Sequence, residues 1–212
     1  MKGEPRCPKC GGRVREPGLF ADAWECAAHG PVHPLQPVLP PSVNALAATV
    51  ARTLVPVWMP WPLPVGWLFT GVASAGADRD GGRASAVACT GPGPLGGPGE
   101  LLLIAEEPGV GLGSRYAGLD GPDPGPLLDP SRPAKAKVLA GGRPTPLWLL
   151  DAAPADRAVF AGEAMGLWLW AVVWPQECGL LLYDDLVLAD LRDAGSELDL
   201  VPCGALSPRI LA

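Results

Sequence analysis

The 212 residues are 48% hydrophobic and 18% charged, enough apolar side chain for a buried core in one domain with a small satellite. Glycine and proline, 28 and 27 residues, make about a quarter of the chain, yet Leu, Val, Ile and Phe make another quarter and exclude wholesale disorder. Sixteen basic against 22 acidic side chains leave a net charge of −6, which excludes general attraction to a phosphate backbone.

The acidic excess lies beyond the N-terminal segment. Residues 1–35 set Lys2, Arg6, Lys9, Arg13 and Arg15 against Glu4, Glu16, Asp22 and Glu25, whereas residues 151–199 set Arg157 and Arg192 against ten carboxylates. Nucleic acid is therefore not expected as a partner. The opening Met1-Lys2-Gly3-Glu4-Pro5 has no apolar leader, and the expected location is the cytoplasm. Thr53–Ala77 is uncharged for 25 residues, but prolines at 56, 60, 62 and 64 remove backbone donors that hydrocarbon cannot replace. The densest proline-free apolar run, Ala164–Trp174, has 11 residues against the ~20 needed to span, so no membrane segment is expected.

Residues 1–35 hold three of the six cysteines and both histidines, and read as a separate module. Cys7-Pro8-Lys9-Cys10-Gly11-Gly12 is followed, with 15 residues between Cys10 and Cys26, by Cys26-Ala27-Ala28-His29-Gly30. Two Cys-x2-Cys/His turns would place three thiolates and one imidazole around a tetrahedral ion, and the trailing glycines let backbone amides turn toward sulfur. The expected cofactor is one structural Zn²⁺ on Cys7, Cys10, Cys26 and His29, with no open coordination position. His33 is the rival nitrogen ligand. A redox pair is the alternative chemistry, disfavoured because Pro5 and Gly11-Gly12 bracket a turn with no helical pattern after it.

This segment resembles the zinc-ribbon family, with a short strand at Arg13–Arg15 and Trp24-Glu25-Cys26 leading into the second knuckle, although many ribbons use cysteine where His29 stands. The whole chain resembles an uncharacterised family of high-GC actinobacteria. The residues that carry this are Val57-Trp58-Met59-Pro60-Trp61-Pro62-Leu63-Pro64-Val65-Gly66-Trp67, Cys89-Thr90-Gly91-Pro92-Gly93-Pro94-Leu95-Gly96-Gly97 and Gly166-Leu167-Trp168-Leu169-Trp170. Some members of that family carry the label phosphotransacetylase, which nothing in these residues supports.

Residues 36–66 read as a proline-rich connector containing one short helix, with Ser42 as N-cap and an apolar face at 43, 46, 47 and 50. Residues 67–212 read as a mainly antiparallel α+β body with few helices. Expected strands are Trp67–Ser74, Ala84–Thr90, Glu100–Glu106, Lys135–Ala140, Leu147–Leu150, Val159–Glu163, Leu167–Trp174, Leu180–Tyr183 and Leu198–Val201. Helical stretches are expected around Leu112–Ala117 and Leu186–Ala194, and Gly118–Pro133 reads as one long loop.

With both histidines in the first 35 residues, no histidine-based nucleophile or catalytic metal site can be drawn from residues 36–212 alone. Asp184-Asp185 and Glu106-Glu107 are candidate cation ligands, more simply read as solvated strand ends. Gly91–Gly99 lacks the Lys-Ser/Thr ending of a phosphate loop. Cys89, Cys178 and Cys203 read as buried thiols. The expected function is a non-catalytic adaptor or regulatory protein with a protein partner, docking through Arg52, Trp58 and Trp61 in the proline-aromatic strip. The alternative is an enzyme acting on a small phosphorylated or acyl substrate without a catalytic histidine.

Overall fold

The computed structural model describes residues 3–19, 21–77, 79–129, 131–184 and 186–211. Met1, Lys2 and Asp185, named above, lie outside them.

Three short strands, β1 (Val14–Arg15), β2 (Glu25–Cys26) and β3 (Gly30–Pro31), form an antiparallel N-terminal sheet. Helix α1 (Val43–Val50) follows, its first turn capped by Ser42 Oγ accepting from Ala45 N at 3.1 Å. The remaining described strands are β4 (Trp58–Pro60), β5 (Leu68–Ala75), β6 (Ala84–Pro92), β7 (Pro98–Glu106), β8 (Ala136–Ala140), β9 (Arg143–Leu149), β10 (Ala158–Ala164), β11 (Leu167–Trp174) and β12 (Val187–Asp190). They join in one sheet of order β4-β12-β8-β9-β10-β11-β7-β6-β5, antiparallel except for the β12–β8 pair. The fold class is α+β, as expected.

Both faces of this sheet are covered, and strand alternation shows it directly. On β7, Leu101 and Leu103 enter one core with Phe69, Val87, Phe160 and Leu169. Leu102 and Ile104 enter the other with Trp170, Val172 and Tyr116 of helix α2 (Leu112–Ala117). Burial on both sides is why Leu101-Leu102-Leu103-Ile104 and the run through β11 are continuously apolar instead of alternating.

Several sequence expectations change in three dimensions. Leu180–Tyr183 is not a strand but part of a 3-10 segment, Gln176–Tyr183, in which Cys178, Gly179 and Leu182 are buried. A Cβ at Gly179 would lie 2.9 Å from Ala158 Cβ, so this segment packs flat on β10 instead of pairing beside β11. Leu198–Val201 likewise falls in a 3-10 turn, Gly195–Leu200, and the expected helix at Leu186–Ala194 is β12 followed by one short turn. For Val187–Asp190, pairing with the distant strands β4 and β8 overrides the local helical pattern. β12 docks on β4 through Leu188↔Pro60, Ala189↔Met59 and Asp190↔Trp58.

That pairing also corrects the docking strip. Trp58 is 1% exposed and Val57 and Met59 are fully buried, so the segment expected as connector supplies an edge strand and part of the core. Val57 N donates to Asp190 Oδ1 at 3.1 Å, and Arg192 Nη2 clamps Asp190 Oδ2 at 2.6 Å, so the prolines leave no donor stranded there. Trp58 cannot meet a partner in this fold. Trp61 is half-buried and Arg52 exposed.

The candidate cation and phosphate sites also resolve into structure. Glu106 is 0% exposed, its Oε2 accepting from Leu112 N at 2.7 Å and its Oε1 from Trp170 Nε1 at 2.7 Å and Gly113 N at 3.3 Å. Glu107 pairs with Arg83 at 2.9 Å. The glycines of Gly91–Gly99 belong to the β6–β7 hairpin, where a Cβ at Gly91 would strike Trp67 and one at Gly93 or Gly99 the Cys178 sulfur. Cys89 and Cys178 are buried thiols, whereas Cys203 is exposed.

Close packing makes one glycine decisive. A Cβ at Gly113 would sit 2.2 Å from Trp170 Nε1, the donor held by Glu106. Gly113→Ala is expected to cost about 1–3 kcal/mol as the indole is displaced. Urea unfolding of parent and variant measures it, and equal midpoints would show that Trp170 has room to move.

Candidate metal centre

The two knuckles are built locally. In the first, Cys7 N donates to Gly12 O and Gly11 N to Cys7 O, both at 2.8 Å, with Gly11 at φ +69°. In the second, His29 N donates to Cys26 O at 3.3 Å and Gly30 takes φ +64°. Only glycine adopts these left-handed conformations without strain, which is the role the sequence assigned to the residue after each knuckle. Val14↔Cys26 pairing between β1 and β2, supported by an Arg15–Glu25 ion pair, brings the knuckles face to face.

Cys7, Cys10, Cys26 and His29 converge with donor atoms all within 4.8 Å of one another, a cluster able to hold a metal ion. Cys7 and Cys26 are buried while Cys10 and His29 reach the surface. A tetrahedral ion with metal–sulfur bonds of about 2.3 Å and a metal–nitrogen bond of about 2.0–2.1 Å demands sulfur–sulfur edges of about 3.8 Å and sulfur–nitrogen edges of about 3.6 Å. The Cys10–Cys26 Sγ separation is 3.8 Å, and His29 Nδ1 lies 3.6 Å from Cys7 Sγ and 3.5 Å from Cys26 Sγ. The donor set therefore fits a four-coordinate ion, and Nδ1 is the imidazole atom that faces it.

Electrostatics around the sulfurs are uneven. Burial pushes the Cys7 thiol up to about 11 against backbone N–H bonds from Cys10 and Lys9. At Cys26 burial acts in the same sense but is outweighed by backbone N–H groups of Ala28 and His29 and by the His29 ring, leaving the thiol at about 6. These amides turn toward sulfur as the knuckle glycines allow.

A family model matches residues 1–210, almost the full length. The chain belongs to DUF6758, a family of unknown function. No curated protein and no solved structure matches it.

In this DUF6758 chain the N-terminal module is anchored to the body. Arg6 and Leu35 exchange backbone hydrogen bonds at 2.9 and 2.7 Å, Gln36 N donates to Ser74 O at 2.9 Å, and Leu35 enters the second core at 6% exposure. The Lys9 stem packs against Gly111 and Arg115 against Gly11, interlocking the first knuckle with the start of α2. Because Leu35 belongs to the core, a chain beginning at Gln36 is expected to be about 2–4 kcal/mol less stable than one beginning at Pro34. Thermal unfolding of the two truncated chains distinguishes them, and coincident curves would show that Leu35 contributes nothing to the body.

His33, the rival ligand, is not in the cluster. It lines a cleft between the module and the body, close enough to Arg83, Glu107 and Asp80 to feel their charge. Sequence reasoning had excluded histidine from the body's chemistry because residues 36–212 contain none. The signal it lacked was the long-range Leu35↔Ala75 bridge, with Gly76 N donating to Pro34 O at 2.9 Å, which lays this segment against the end of β5.

Proposed function

We propose that the protein is a non-catalytic cytoplasmic binding protein whose N-terminal zinc ribbon is closed by one structural Zn²⁺ on Cys7, Cys10, Cys26 and His29, the whole serving as an adaptor for a protein partner. The observation that carries the metal reading is that three of the six donor–donor edges match a tetrahedron and all six lie within 4.8 Å. Three thiolates and an imidazole suit a borderline-soft ion and not magnesium or calcium, which take oxygen. Four protein donors leave no place for a substrate or an activated water, so the ion supports folding, not hydrolysis.

Binding to protein is favoured over nucleic acid by charge. The chain is at −6, and Arg15, Arg83, Arg132, Arg157 and Arg192 are already paired with carboxylates. Duplex DNA and single-stranded RNA are accordingly expected to show no saturable binding at low salt in a fluorescence titration. Sub-micromolar binding that weakens steeply with salt would replace this reading. With Trp58 in the core, the docking role narrows to the surface around Arg52 and Trp61. An Arg52→Ala/Trp61→Ala variant that stays folded but recovers the same partners from native lysate would remove that surface too.

The second reading, an enzyme or binder for a small phosphorylated or acyl molecule, has one observation in its favour: the module brings His33 to the body.

A further inference from the structure

His33 is one wall of a cleft of about 270 Å³, lined from the metal module by Lys9, Asp22 and Trp24 and from the body by Arg79 and Asp80. Three groups able to carry positive charge, 24 and 46 residues apart in the chain, meet here on a protein whose net charge is −6. We propose that this cleft binds a small molecule by an oxyanion, phosphate or carboxylate, with Lys9, His33 and Arg79 as its donors and Trp24 as the apolar wall. The proposal goes beyond the structural-metal reading and does not depend on which ion fills the cluster.

Each donor is positioned without being used up. The methylenes of Lys9 are held against Gly111, where a Cβ would come within 2.9 Å of Lys9 Cγ, so the ammonium is aimed and not free to sweep the surface. Neither Lys9 nor His33 makes an ion pair or side-chain hydrogen bond among the described residues. Arg79 is fixed by Nη2 donating to Asp22 O at 2.7 Å and Nε to Asp80 Oδ2 at 3.4 Å, which leaves guanidinium N–H donors over for a ligand. Asp80 is thereby engaged, and Asp22 contributes its backbone carbonyl to the same bracket.

The surroundings add to the field. Arg83 stands near His33 with its Nε buried and unpartnered among the described residues, its Nη1 spent on Glu107. Partial burial first, then Arg83 and Lys9, pull the His33 ring below the usual histidine range, with Glu107 and Asp80 opposing. A neutral imidazole flanked by cations is an environment an oxyanion would relieve: its charge would favour the protonated ring and raise that pKa. The volume suits a small ligand at the junction of two substructures, where such sites concentrate, and excludes a peptide or a duplex.

The test uses the intact metal-loaded protein and the ring Hε1 signals of its two histidines. Inorganic phosphate and, separately, sodium acetate are titrated against sodium chloride at matched ionic strength. The expected result is a saturable shift of the His33 signal, assigned by its loss in His33→Phe, and a His33 pKa that rises with phosphate or acetate and not with chloride. Saturation by phosphate alone, acetate alone or both supports the site and says which oxyanion it takes. Lys9→Met, which keeps the stem on Gly111, and Arg79→Gln, which keeps a donor for Asp22 O, are each expected to weaken binding about tenfold at unchanged metal content. A shift no larger than that with chloride, or an unchanged affinity in both variants, would overturn the proposal.

Discussion

Protein purified without chelators is expected to carry one zinc ion per chain by elemental analysis, and Cys26→Ser to carry none. The module spans about 30 residues and buries few side chains, Cys7, Cys26 and Leu35 among them. Units that small fall below the size at which an apolar core alone suffices. Structural zinc in comparable sites supplies apparent binding energies of order 10–16 kcal/mol at pH 7, so its removal should unfold the knuckles outright. The body has its own two-faced core and should survive, losing the contacts of Lys9 with Gly111 and of Gly11 with Arg115. Added chelator should therefore broaden backbone amide signals of residues 6–30 while those of β6, β7 and β11 stay dispersed. His29→Ala is expected to lose most of the metal. Full retention in that variant would bring His33 back as ligand, and metal-free parent protein would end the reading.

The second large effect lies at Glu106. Burial pushes its carboxyl from an ordinary 4.5 to about 7, even though the amides of Gly113 and Leu112 and the Trp170 indole all donate to it. A folded pKa above the unfolded one means that the stability tied to this group is fully present below pH 4.5 and is lost as pH rises through 7. The shift corresponds to about 3 kcal/mol. Glu106→Gln does not titrate, and both proteins share the metal cluster. The difference in their unfolding free energies should thus move by about 2.5 kcal/mol in favour of the variant between pH 5 and pH 8. Urea unfolding at those two pH values measures it. A constant difference would show that the three N–H donors fully offset the cost of burial. Glu106→Ala should be the more damaging change at either pH, because it strands the buried donors on Leu112, Gly113 and Trp170.

The metal cluster was legible because its determinants are local. Two ligands three residues apart with a glycine behind them define a knuckle whatever the rest of the chain does, and one hairpin suffices to bring two knuckles together. The choice of His29 over His33 followed from the same spacing. Helix α1 and the long strands β5, β6, β7 and β11 were legible for a related reason, since a cap or an apolar run of eight residues states its own conformation.

The order of residues alone was enough for the Cys7, Cys10, Cys26 and His29 cluster, the class of the fold and the sign of the protein's charge. The tertiary structure alone decided the fates of Trp58, Glu106 and His33. Trp58 looked like the exposed face of a proline strip until β12, 132 residues later in the register Asp190↔Trp58, covered it. Glu106 looked like a solvated strand end until α2 folded back over it and turned its amides onto the carboxylate. His33 looked like a spare ligand until Leu35 paired with Ala75 and set the ring beside Arg83 and Arg79. For Trp58 and His33 the deciding contact joins residues far apart in the chain, and Glu106 adds to the nearby amides of α2 the indole of Trp170, 64 residues away. Burial and field at a side chain depend on what packs against it, and periodicity and spacing carry no record of that.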